Sequence, residues 1–116
     1  MLASSALFAE TDNKYWKLYN ECVSSYGEIN NTVVYVCSEN VSMDVKKEMN
    51  RLYSIIYKDI SESSIDDAKK FEDSQKAWLK YRNSHCELMG AYVGSPMYAY
   101  CPLSLNIDRL TEMKTF

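Results

Sequence analysis

Four cysteines offer the most chemistry in this sequence: Cys22, Cys37, Cys86 and Cys101. A thiol can act as a nucleophile, a metal ligand or half of a disulfide. Zinc ligands usually come as close pairs, and here the nearest cysteines are 15 residues apart. The single histidine, His85, adjoins Cys86, but neighbouring residues on a helix point about 100° apart and do not face each other. Glu21 with Glu28, and Asp66 with Asp67, could be named as carboxylate pairs, yet they occupy capping or exposed positions. No glycine-rich phosphate loop is present. The chain therefore reads as non-enzymatic, with no metal and no cofactor. An even number of cysteines in a small chain points to two disulfides and to export.

Four cysteines allow three connectivities, of which two are sensible. One is local, Cys22–Cys37 with Cys86–Cys101. The other is nested, Cys37–Cys86 with Cys22–Cys101, and both of its bonds share a midpoint between residues 61 and 62. Two further residues carry polar chemistry in an apolar setting. Gln75 and Arg82 fall on the stripe Ile65, Ala68, Phe71, Gln75, Trp78, Arg82, Cys86, Met89, whose steps of three and four mark one helical face. A buried guanidinium needs a carboxylate or several acceptors. Reflection through a turn near residue 62 sets Arg82 within reach of Asp44, and Gln75 within reach of Asn50. The expectation is a structural clamp of Gln75, Trp78, Arg82, Asn50 and Asp44. A ligand site built on Arg82 is the alternative.

The elements that hold these residues are helices. Val41, Val45, Met49, Leu52, Ile56 and Ile60 form one helical face between Ser38 and Ile60. Ser38 or Asn40 could cap it. The run 61–64 breaks the pattern, and Ser63 or Ser64 can cap the next helix, with Asp66 and Asp67 in its first turn. That helix is expected to end at Gly90. Two long helices with a short link form an antiparallel hairpin, and the nested disulfides fit its register. Shorter helices are expected near Asp12–Tyr26 and after Pro102, where Leu103, Ile107, Leu110 and Met113 repeat. Residues 27–36 are ambiguous, since NTVVYV is β-branched and could be extended. Residues 91–100 contain Gly94 and Pro96 and read as at least partly a loop. The fold class is all-α: a long helical hairpin with shorter flanking helices, stapled by two disulfides.

Composition agrees. The chain has 116 residues, 47% of them hydrophobic, with three glycines and two prolines, fewer turn residues than a sheet-rich fold needs. A net charge of −3 argues against nucleic acid and favours a basic partner. No apolar run is long enough for a membrane span. The first nine residues, MLASSALFA, are uncharged and small or apolar, in the manner of a signal-peptide end, although a basic start is missing. The expected organisation is a leader remnant or disordered tail at 1–9 and a single domain at 10–116.

The string SQKAWLKYRNSHC, then GSP, then Cys101 followed by LSLNIDRL resembles the LprI-type lysozyme inhibitor family. That family's pattern places Gln, Trp, Arg and Cys at the spacing of Gln75, Trp78, Arg82 and Cys86. Gly94, Ser95, Cys101, Leu105 and Arg109 resemble its tail, Asn50 and Tyr53 its first hairpin helix, and Cys37 its leading cysteine. Met49 stands where the family often has Leu. The resemblance covers about residues 37–113 and implies a secreted or periplasmic protein that inhibits a peptidoglycan-degrading enzyme. The expected partner is a protein: lysozyme, another cell-wall hydrolase, or, for an immunity protein, a toxin. The segment 91–100 holds Tyr92, Gly94, Ser95, Met97, Tyr98 and Tyr100. Aromatics and Met on a disulfide-tied loop are what protein interfaces use as anchors, so these six are the expected contact residues.

Overall fold

The computed structural model describes the backbone from Leu2 and the side chains from Lys14 to Phe116. Expectations about the side chains of the signal-like segment 1–9 lie outside the described residues. Among those described, there are four helices and no strand: α1 (Leu2–Ser25), α2 (Asn31–Ser63), α3 (Ile65–Tyr92) and α4 (Met97–Met113). The particle measures 50 × 30 × 21 Å.

The hairpin turn is a single residue. Ser64 is extended, donates its N–H to the Ile60 carbonyl at 2.8 Å, and accepts the Asp67 N–H on Oγ at 3.1 Å. One serine thus closes α2 and caps α3, with Asp66 and Asp67 in the first turn of α3 as expected. At its other end α2 begins earlier than expected. Asn30 is the cap, accepting the Val33 N–H at 2.9 Å, and NTVVYV forms the first turns of the helix. Val33 and Cys37 extend the buried stripe of Val41, Val45 and Met49 in steps of four, so packing outweighs the β-branched preference for extended backbone.

α1 ends at a turn where Gly27 takes φ +80°, a left-handed conformation that glycine adopts without strain. α4 starts at Met97, not at Pro102. The N–H groups of Met97, Tyr98 and Ala99 bond the carbonyls of Gly94, Ser95 and Pro96, closing the turn directly into the helix. Pro102 consequently lies inside α4. α4 is nonetheless the most buried element, for Leu103, Ile107, Leu110 and Met113 are all 0% exposed. It packs on α1, α2 and α3, and most extensively on α2, while among the described residues α1 makes no close backbone approach to α3. The hairpin α2–α3 is present, but the centre of the core is the α2–α4 pair.

The disulfides are local: Cys22–Cys37 and Cys86–Cys101, with Cα–Cα distances of 5.7 and 5.4 Å. The preferred nested pairing is overturned, and the reason is register. With the turn at Ser64, Cys37 lies level with Ala91, not Cys86. Five residues of helix are about 7.5 Å, further than a disulfide reaches when added to the interhelical gap. The midpoints of the local pairs fall between 29 and 30 and between 93 and 94, at the α1–α2 and α3–α4 turns. Each bond staples one turn, and because α2 and α3 are antiparallel, both turns lie at the same end of the molecule.

Candidate protein-binding site

Two regions gather the residues singled out by the sequence: a polar seam along α3, and the disulfide-bonded end.

The seam runs between α3 and α4. Arg82 donates from Nη1 to Asn106 Oδ1 at 3.0 Å, and from Nε and Nη2 to Asn83 Oδ1 at 3.1 and 2.9 Å. Arg109 donates from Nε to Gln75 Oε1 at 2.9 Å and from Nη2 to the Ser74 hydroxyl at 3.3 Å. Both guanidinium groups approach the Trp78 ring, with their carbons 5.4 and 5.9 Å from its centroid. Such cation–π contacts favour charge over an indole face. Gln75, Trp78, Arg82 and Arg109 therefore form one network, joining α3 to α4 more than to α2.

The expected α2 partners are placed differently. Asp44 lines a shallow groove with Lys14, Tyr15 and Lys47, and the hydrogen bonds of Arg82 go to Asn83 and Asn106 instead. The turn at Ser64 sets Lys46, not residues 41–42, opposite Arg82. Asn50 does share a groove with Gln75 and Arg82, between α2 and α3. Gln75 has Arg109 on its oxygen and the Met49 sulfur, at 3.5 Å, on its nitrogen.

At the disulfide end the six expected contact residues separate. Tyr92 ends α3 and is 85% exposed. Gly94 and Ser95 form the turn, and Met97 opens α4, half-buried. Tyr98 is partly exposed, but its ring packs directly against Gly90, where an added Cβ would collide with it. Gly90 is thus an interior residue of α3 that admits a ring, not the helix terminator expected. Tyr100 turns inward, its ring tilted against Trp16 at 5.6 Å and edge-on to Tyr19 at 5.7 Å. Burial pushes the Tyr19 hydroxyl above its ordinary pKa.

The sequence reading passed over the other half of this end. Tyr26 and Ile29, in the α1–α2 turn, and Tyr35 on α2 are exposed. Tyr35 and Tyr98 line one shallow groove, which brings the two turns together. The charge pattern along the chain marks the same end. Residues 18–43 and 83–107 contain Glu21, Glu28, Glu39 and Glu87 and no lysine or arginine. All four glutamates are exposed. The thirteen basic residues lie elsewhere, in 14–17, 44–82 and 108–116.

No helix of the described chain is long and apolar enough to cross a membrane, and no cluster of three metal-holding side chains occurs among the described residues. Fold and surface define a small helical domain, twice disulfide-bonded, that presents a rigid acidic and aromatic end. The family described as lysozyme inhibitor LprI matches residues 22–113, and the chain belongs to that family. Neither a curated protein nor a solved structure matches it. A protein partner and a location outside the cytoplasm are consistent with that family and with the two disulfides.

Proposed function

We propose that the protein binds and inhibits a lysozyme-type, peptidoglycan-cleaving enzyme in the bacterial envelope, periplasmic or secreted, and does so with its disulfide-bonded end. The observation that carries this reading is the charge segregation: residues 18–43 and 83–107, which carry exposed Tyr26, Tyr35, Tyr92 and Tyr98, hold four exposed glutamates and no lysine or arginine, and Lys46 stands at their border beside Tyr98. Many lysozymes are basic. A single-sign acidic patch steers a basic partner and speeds encounter, while tyrosines supply large contact area at low entropic cost. Two disulfides hold both turns before binding, so little order has to be gained on association. The protein itself performs no chemistry in this role.

The test is a cell-wall clearing assay with lysozymes of several types, together with binding measured by calorimetry. Tyr92→Ala and Tyr98→Ala should each weaken inhibition of the sensitive enzyme by about 1–3 kcal/mol with helical content unchanged. Inhibition that both variants retain in full would place the contact surface elsewhere. If no lysozyme is inhibited, the proposal fails.

A further inference from the structure

We propose that the groove between α2 and α3 binds a small organic carboxylate, held by Arg82, Lys46 and Gln75. The groove has a volume of about 350 Å³, within the range of small-molecule sites. It lies along the middle of the hairpin, away from the disulfide end, and does not depend on the lysozyme reading.

Three donors line this space, Arg82, Lys46 and Gln75, and none of them rests on a carboxylate among the described residues. Arg82 is half-buried, and its hydrogen bonds all end on neutral amide oxygens, those of Asn83 and Asn106. No carboxylate pairs with it among the described residues, and burial alone pulls its pKa below the ordinary value. Buried charges are normally paired, and a guanidinium fork is shaped for a carboxylate. Lys46, facing it across the groove, has no ion pair among the described residues and adds a second positive charge. Gln75 is 8% exposed, yet its amide nitrogen meets only a thioether sulfur at 3.5 Å, a weak acceptor that a carboxylate oxygen would displace.

The other cation of the groove, Lys76, is occupied by Glu72 at 3.3 Å. The remaining walls set the rest of the ligand. Met49, Leu79 and Tyr53 offer apolar surface, and Asn50 offers an amide at the rim. A carboxylate carrying an apolar group and a neighbouring amide fits this set, as in an N-acylated amino acid or the C-terminal end of a short peptide.

The experiment is a nitrogen-15 NMR titration of the oxidised protein with N-acetyl-leucine, its neutral analogue N-acetyl-leucinamide, and inorganic phosphate. The expected result is saturable shifts of the Gln75 side-chain amide and Arg82 Nε–H with N-acetyl-leucine. The neutral amide should bind at least about tenfold more weakly, the scale of one lost charge-assisted hydrogen bond. Lys46→Glu and Asn50→Asp change exposed positions, so the fold should survive, and each should weaken binding by about tenfold or more. Tyr92→Ala should bind like the parent, which separates this site from the lysozyme surface. No saturable shift in the parent protein, tighter binding of phosphate than of N-acetyl-leucine, or undiminished binding by Lys46→Glu would each overturn the proposal.

Discussion

Tyr15, Glu48 and Lys114 tie three elements together through three side chains. The Tyr15 hydroxyl of α1 donates to Glu48 Oε1 of α2 at 2.5 Å, and Lys114, just past α4, stands 3.3 Å from Glu48 Oε2. Burial would raise the Glu48 pKa, but the hydrogen bond from Tyr15 and the Lys114 ammonium outweigh it and hold the carboxyl below its ordinary value of 4.5. Burial first, and then Glu48, push the Tyr15 hydroxyl well above its ordinary 10.0. A depressed carboxyl contributes stability above its unfolded pKa and loses it as pH falls through the folded one. A raised phenol contributes stability below its unfolded pKa and loses it as pH climbs beyond that value. Stability should therefore fall on both sides, below about pH 4.5 and above about pH 10. Tyr15→Phe should cost about 1–2 kcal/mol at neutral pH and make both falls shallower, as read from urea midpoints at pH 3, 7 and 11. Unchanged midpoints at all three would remove the triad's role. Gly90 gives a second prediction at this scale. Gly90→Ala must displace the Tyr98 ring, so it should lower the melting temperature despite the better helix propensity of alanine. A higher melting temperature would contradict the close approach.

At the scale of elements, the helices were legible and the turns were not. The stripes from Val41 to Ile60 and from Ala68 to Met89 follow the helical period closely enough to give both hairpin helices, with Ser63 or Ser64 as the cap between them; the structure uses Ser64. Placing the turn near residue 62 instead of at Ser64 was a small error along the chain. In an antiparallel pair it doubles, and it moved every inferred cross-hairpin partner by about five residues. That shift favoured Cys37–Cys86, and it set residues 41–42 opposite Arg82, with Asp44 in reach, where the structure sets Lys46. The same mirror reasoning, applied to the flanking turns, gives Cys22–Cys37 and Cys86–Cys101. It was not available without knowing that NTVVYV is helical, since its β-branched residues hide the start of α2. The Gly90 contact is invisible in the sequence, because it depends on how α4 crosses α3. The local disulfides make a prediction at this scale. Each closes a loop of 15 residues, for which loop-closure entropy gives about 3 kcal/mol. Replacing Cys22 and Cys37 by Ser should lower stability by roughly that amount while α4 stays packed in its core position. Non-reducing peptide mapping should yield Cys22–Cys37 and Cys86–Cys101, and a Cys37–Cys86 peptide would contradict the register.

For the whole molecule the decisive feature is the asymmetry of charge. A net charge of −3 says little by itself, but its distribution gives the particle an acidic end that carries the two stapled turns and the exposed tyrosines. A uniform scatter of the same residues would attract a basic partner without orienting it. Concentration at one end orients the encounter, so the acidic residues should govern the association rate and the tyrosines the dissociation rate. The most direct measurement is the association rate with an inhibited basic lysozyme, followed over a series of salt concentrations, for the parent protein and for a Glu28→Lys, Glu39→Lys, Glu87→Lys triple variant. The account predicts that the variant associates at least about tenfold more slowly at low salt and that its rate no longer falls as salt is added. Equal rates and equal salt dependence in the two proteins would contradict it.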